Sequence, residues 1–312
     1  MNTLVPHPEV SLAPYTTLRA GGRAEQFARA RTTEDLVAAY ELADRHGWKL
    51  TVLGGGSNIL PADAGVRGLV VLNETSGLTI FEDGLVEVDS GVSFQELFLR
   101  TAQAGLGGLE YAVGIPGSVG GALVSNAGAY RSNISEFLTK IEIVHDGDRK
   151  WVGPDWMEFS YRDSRLRRDL DSQCILLRMR FRLAPRDKKA IYDEAREYQR
   201  QRISKQPPPA SAGSFFKNVN DATLAASLDT LPERLRTAGV VPAGYLIEKA
   251  GLMGYRKGGA MFARKHANFI VNIGAASAMD IRDLARVGKK AVLERYGVEL
   301  EEEVLYLGEW PD

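Results

Sequence analysis

The stretch Gly114-Ile115-Pro116-Gly117-Ser118-Val119-Gly120-Gly121, closing on Asn126-Ala127-Gly128-Ala129, limits what the chain can fold into more than any other segment. Glycines among small residues let the backbone take positive φ and let a ligand come close to the backbone N–H groups. A polypeptide holds a diphosphate in this way with few cationic side chains. The spacing matches neither G-x-x-x-x-G-K-[ST] nor a strand followed by G-x-G-x-x-G. A second cluster, Leu53-Gly54-Gly55-Gly56-Ser57-Asn58-Ile59-Leu60, ends an earlier apolar run. Either cluster alone reads as a tight turn. Two of them, each expected at the end of a strand-like segment, point to a large phosphate-containing ligand.

The 312 residues leave room for two domains, or for one domain with a second lobe. Lys plus Arg (39) nearly cancels Asp plus Glu (40). That balance argues against a nucleic acid or an anionic membrane as the main partner. Cys174, the only cysteine, lies in an apolar run and reads as a small buried hydrophobe. His7, His46, His145 and His266 are scattered without ligand spacing, so no metal site is expected. The start, Met1-Asn2-Thr3-Leu4-Val5-Pro6-His7-Pro8, lacks the regions of a signal peptide, and no apolar run approaches membrane-spanning length. The expectation is a soluble, cytoplasmic protein; its oligomeric state is not legible.

Along the chain, Thr32 should cap a helix carrying Leu36, Val37, Tyr40 and Ala43 and ending at Gly47. Residues 49–53 read as a strand entering the triple glycine, 69–72 as a buried strand, and 78–81 with 85–88 as a hairpin around Asp83-Gly84. Ser93-Phe94-Gln95-Glu96 reads as a capping box. Residues 138–183 are strand-rich, 188–201 are a charged helix, and Pro207-Pro208-Pro209 is the clearest domain boundary. Beyond it come a short helix over 243–250, a strand over 268–273, and a helix capped by Ser277 that stops at Gly297. The fold class is α+β.

Three polar positions stand beside these loops. Arg162 lies in Phe159-Ser160-Tyr161-Arg162-Asp163-Ser164, Ser214 in Ala212-Gly213-Ser214-Phe215-Phe216-Lys217-Asn218, and Glu303 in the run Glu301-Glu302-Glu303. Singly they read as a surface arginine paired with Asp163, a turn serine and a solvated acidic face.

Together, in order, these segments resemble the UDP-N-acetylenolpyruvoylglucosamine reductase (MurB) family. The resemblance runs from Thr16-Thr17-Leu18-Arg19-Ala20-Gly21-Gly22 to Gly308 and takes in Tyr161 to Ser164, Gly213 to Asn218, Lys265 to Asn272 and Gly297 to Gly308. It implies an FAD-binding domain of the PCMH/vanillyl-alcohol-oxidase type over 15–185, with lobes of about 15–70 and 71–185. An α+β substrate-binding domain over 205–312 would follow. Gly54, Gly55, Gly56, Ser57, Asn58, Gly114, Ile115, Pro116, Gly117, Ser118, Gly120, Gly121, Asn126 and Gly128 would then face FAD. Neither glycine segment contains His or Cys, so the FAD is expected to be non-covalent. NADPH is the implied hydride donor, and UDP-N-acetylglucosamine enolpyruvate, reduced to UDP-N-acetylmuramate, the implied substrate. That reaction belongs to peptidoglycan precursor synthesis, and so to cell-wall biogenesis, cell shape and division.

The residue types suit that reaction. Hydride reaching the methylene carbon leaves negative charge on its neighbour, spread into the carboxylate. Arg162 would stabilise this charge, Glu303 would be a carboxylic acid or hydrogen-bonding partner, its protonated form favoured by burial, and Ser214 would deliver the proton. Tyr161 and Asn218 are implied substrate contacts, with Lys217 and His266 as weaker candidates. Val219, Arg131 and Leu305 depart from the family's usual wording, and the short interval from Arg162 to Ser214 matches the subclass without a tyrosine-bearing substrate loop. Two other readings compete: an FAD oxidase of the same fold, and a nucleotide-sugar sensor without chemistry. Ser214, Asn218 and Glu303 in their motifs argue against the oxidase, and the presence of Arg162, Ser214 and Glu303 together argues against the sensor.

Overall fold

A computed structural model describes residues 4–311; residues 1–3 of the amino-terminal stretch read above, and Asp312, lie outside the described residues. The chain forms two compact units. One takes the residues through Val10, Ala24–Gly56 and Arg67–Ser204, and the other takes Ser11–Arg23, Ser57–Val66 and the chain from Lys205 onward.

In the first unit a four-stranded sheet has the spatial order His7–Ser11, Arg23–Ala30, Val66–Asn73, Leu50–Leu53, and its last two strands are parallel. Helix α1 (Thr33–His46) starts as expected. Thr32 Oγ accepts the Asp35 N–H at 3.1 Å while the Asp35 carboxylate accepts the Thr32 N–H at 3.0 Å. Gly47 ends it in the left-handed conformation at φ 62°. Leu36, Ala39, Tyr40 and Ala43 bury that helix's apolar stripe against Ala28, Ala30, Leu50, Leu69 and Val71.

An antiparallel five-stranded sheet follows, ordered Asp148–Val152, Leu138–His145, Cys174–Arg182, Leu85–Asp89, Leu78–Ile80. Its apolar face packs on α2 (Phe94–Gln103) and α3 (Val119–Val124) through Val86, Val88, Phe94, Leu97, Phe98, Val119, Leu123, Ile141, Ile143, Met179 and Phe181. Ser93 caps α2 by accepting the Glu96 N–H at 3.2 Å, which is the Ser93 half of the expected box. The short α4 (Arg165–Arg168) and the long α5 (Lys188–Lys205) complete this unit, α5 running four residues beyond the sequence expectation.

One expectation is corrected. The Gly114 loop does not leave a strand; it follows a 3₁₀ turn, Glu110–Ala112, after only two extended residues, Leu106–Gly107. The Glu110 carboxylate folds back to accept the Gly108 N–H at 2.8 Å, and this bends the chain before a strand can lengthen.

The second unit is built on an antiparallel sheet ordered Ala210–Ser211, Ile270–Asn272, Ala260–Phe262, Arg256–Lys257. It carries the short helices α6 (Ala222–Ser227), α7 (Glu233–Ala238) and α8 (Ala243–Lys249), and the long α9 (Ala278–Tyr296). Strand Leu305–Leu307 pairs in parallel with Ile59–Pro61. Two tethers bring the early segments into this unit. Asp63 accepts the Ala278 and Met279 N–H groups of α9 at 2.8 and 2.9 Å, and Asn272 Nδ2 donates to the Leu18 carbonyl at 2.9 Å. The expected strand over 268–273 shrinks to Ile270–Asn272 because Asn268 is engaged elsewhere. Among the described residues, no helix is long and apolar enough to cross a membrane.

Candidate active site

In the first unit the two glycine loops press against each other. A Cβ on Gly55 would stand 2.8 Å from Gly117 Cα, and one on Gly54 would stand 2.2 Å from Ser118 Oγ. Gly117 also sits at φ 113°, a conformation closed to ordinary L residues. Ser118 turns its hydroxyl to the Gly121 N–H at 3.2 Å and caps α3. Gly120 packs on Ser90, and Gly128 on the Ser132 carbonyl. Close by in the chain, the Tyr111 hydroxyl and Asn126 Oδ1 are buried without hydrogen-bond partners. A glycine-rich double loop, with buried polar atoms in its flanking segments, is what an extended diphosphate-bearing group requires. These residues fit FAD.

Arg162 is positioned by the segment that closes this loop. Ser160 and Asp163 exchange backbone hydrogen bonds of 3.1 and 3.3 Å, leaving Tyr161 and Arg162 as a two-residue turn. Arg162 takes φ 54°, a strained choice for a long side chain. Its guanidinium donates to the carbonyls of Asn126 and Gly128 and lies 5.2 Å from the Tyr161 ring centroid. Asn126 Nδ2 donates to the Ser160 carbonyl at 2.8 Å, and Ser164 Oγ to the Val124 carbonyl at 2.6 Å. The turn is therefore pinned on both sides of the arginine. Asp163 gives its carboxylate to Arg168 at 2.7 Å.

Ser214 and Glu303 belong to the second unit. Phe215 and Phe216 are fully buried and anchor the serine from behind. The buried Asn268 holds them: its carbonyl accepts the Phe215 N–H at 2.7 Å, its Oδ1 accepts the Phe216 N–H at 3.0 Å, and its Nδ2 donates to the Phe216 carbonyl at 2.9 Å. Glu303 N–H donates to the Phe215 carbonyl at 2.8 Å and Lys217 N–H to the Glu301 carbonyl at 2.8 Å. The segments bearing Ser214 and Glu303 thus run side by side. The Ser214 hydroxyl is half-exposed and bonds to no protein group among the described residues. Asn58 Nδ2 donates to the Glu303 carbonyl at 2.9 Å and its carbonyl accepts the Leu305 N–H at 3.0 Å, so Asn58 fixes the acid's main chain.

The weaker candidates differ. Lys217 is ion-paired with Glu301. Asn218 accepts the Ala243 N–H at 3.3 Å at the start of α8, where Pro242 has no capping side chain. His266 packs edge-on against Phe269, and its Nδ1 accepts the Asn268 N–H at 3.3 Å. Burial and then the Lys205 charge hold its pKa below the ordinary imidazole value. That keeps His266 neutral, with Nε2–H as a donor. Tyr161 is exposed. Asn268 escaped the sequence reading because an asparagine before an apolar run carries no signal that both its amide ends will bind one residue's backbone. Among the described residues, no cluster of three or more His, Cys, Asp or Glu side chains could hold a metal.

The sequence matches the family model of an FAD binding domain over residues 24–152, and that of the UDP-N-acetylenolpyruvoylglucosamine reductase C-terminal domain over residues 203–307. The reductase of that name from Synechococcus is 37% identical over 307 residues, covering 97% of this chain and 91% of the relative. The one from Bacillus subtilis is 38% identical over 301 residues, covering 95% and 92%. The crystal structure of the Thermus caldophilus enzyme superimposes with a TM-score of 0.78 at 34% identity, covering 97% of this chain and 99% of that one. With such identity over nearly its whole length, the chain belongs to the UDP-N-acetylenolpyruvoylglucosamine reductase family.

Proposed function

We propose that the chain reduces UDP-N-acetylglucosamine enolpyruvate to UDP-N-acetylmuramate at the expense of NADPH, as a cytoplasmic step of peptidoglycan precursor synthesis. The first unit would hold FAD on the loops at 54–56 and 114–121 and carry Tyr161 and Arg162, and the second would supply Ser214, Asn218, His266 and Glu303. When bound, FAD supplies the hydride exchange between the two reactants.

The chain's own residues do the rest. Arg162, preorganised by two carbonyls and a tyrosine face, binds the substrate carboxylate and takes up the charge that develops when the methylene carbon gains hydride. Ser214 Oγ–H gives its proton to the neighbouring carbon, and its freedom from protein partners leaves it available. Glu303 lies beside it as the acidic partner, and Asn58 and Phe215 fix that residue's main chain. Tyr161, Asn218 and the neutral His266 are the proposed substrate contacts. Lys217 has the same assignment, reached from its ion pair with Glu301.

The observation that carries this reading is the Glu303 N–H bond to the Phe215 carbonyl, which couples the proton donor's segment to the acid's. The test is anaerobic. Holoenzyme is reduced with NADPH, the enolpyruvyl substrate is added, and the flavin spectrum is followed. Rapid return of the oxidised spectrum supports the reading. A flavin that stays reduced until oxygen or a quinone enters would replace it with an oxidase.

A further inference from the structure

Helix α5 buries Ile191 and Ala195 and continues the same stripe through Tyr198 to Arg202, a spacing of four, three and four residues. A core-facing stripe that ends in arginine calls for a reason. Tyr198 stacks on Tyr130 with centroids 3.9 Å apart and an interplanar angle of 9°, and the Tyr130 hydroxyl donates to the Tyr198 carbonyl at 3.1 Å. The Arg202 guanidinium lies 5.7 Å from the Tyr130 ring centroid, and its Nη2 reaches the Tyr111 carbonyl at 3.4 Å. Its Cδ is 3.3 Å from where a Cβ on Gly114 would be. Arg202 Nε is enclosed without a hydrogen-bond partner, and no carboxylate pairs with this side chain among the described residues.

Arg202 is thus a desolvated cation against the Gly114 loop and the turn at 126–130, the turn whose carbonyls Arg162 grips. Desolvation lowers its pKa; Tyr130 opposes that shift and the like charge of Arg162 adds to it. A partly enclosed guanidinium with no carboxylate counter-charge carries a desolvation cost, and a second one nearby adds to it. An oxyanion that accepts from both would remove the penalty.

We propose that Arg202 is a second carboxylate-binding residue, which together with Arg162 receives the carboxylate of the enolpyruvyl group. A planar two-oxygen anion matches the forked geometry of guanidinium donors. The glycine loops are assigned to phosphate, so the Arg202 guanidinium is assigned to the group that distinguishes the substrate from UDP-N-acetylglucosamine. This inference rests on the reaction proposed above.

The test is a titration of oxidised holoenzyme with UDP-N-acetylglucosamine enolpyruvate and, separately, with UDP-N-acetylglucosamine, read from the flavin absorbance perturbation. Arg202→Met keeps the aliphatic stem, and Arg202→Lys keeps the charge. Arg202→Met should weaken the enolpyruvyl ligand about ten- to hundredfold. Binding of the ligand without a carboxylate should change less than about threefold, FAD should be retained, and Arg202→Lys should recover part of the loss. Equal weakening of both ligands, loss of FAD with selectivity intact, or no change in either variant overturns the assignment. Wild-type reduced flavin that the enolpyruvyl substrate cannot reoxidise would instead bring down the reaction itself.

Discussion

Gly55 and Gly117 meet backbone to backbone: a Cβ on Gly55 would lie 2.8 Å from Gly117 Cα. Neither side can yield, because the obstacle is main chain and not the end of a flexible side chain. Gly55→Ala should cost about 1–3 kcal/mol of stability and lower FAD affinity at least about tenfold. Gly153→Ala, where nothing lies within 4 Å, is the control. The ratio of flavin to protein absorbance after dialysis, with melting temperature alongside, reads both effects.

Ser214→Ala should leave FAD content and flavin reduction by NADPH intact. Reoxidation by the enolpyruvyl substrate should slow by about 10²–10⁴, the span of a positioned general acid. Single-turnover stopped flow separates the two half-reactions. Unchanged reoxidation would remove Ser214 as the proton donor.

Asn268→Ala strands the buried N–H and carbonyl of Phe216. Stability should fall by about 2–4 kcal/mol, measured by urea denaturation. Reoxidation by substrate should suffer more than flavin reduction, because Asn268 supports the residues behind Ser214.

His266 has its pKa lowered in the folded state, first by burial. The unfolded chain therefore takes up a proton that the folded chain resists as pH drops below about 6.5. Stability is full above that pH and declines toward the folded pKa. His266→Asn keeps an acceptor for the Asn268 N–H and should flatten the decline of melting temperature between pH 7.5 and 5.5. An unchanged slope would assign the decline to other groups.

Burial pushes the Cys174 thiol up to about 12. A chromogenic disulfide reagent at pH 8 should leave native protein unlabelled over minutes and label one thiol per chain after denaturation.

Much of this was readable in the chain. Thr32 and Ser277 as caps, Gly47 and Gly297 as stops, the hairpin closed at Gly84, and the two glycine loops are local matters, decided by a few neighbouring residues and their allowed φ. The entry to the Gly114 loop is not legible in the sequence, since the Glu110 side chain turns back on Gly108 and no hydrophobic pattern reports that. Tertiary structure alone decided that residues 11–23 and 57–66 join the second unit, through Asp63 on α9 and Asn272 on Leu18. It also decided that Asn268 and Asn58 hold the serine's and the acid's segments, and that the apolar stripe of α5 ends on an arginine whose Nε is enclosed. Each of these is a polar contact between residues far apart in sequence. Periodicity encodes which face of an element is buried, whereas the partner of a buried polar group is fixed only when the chain closes around it.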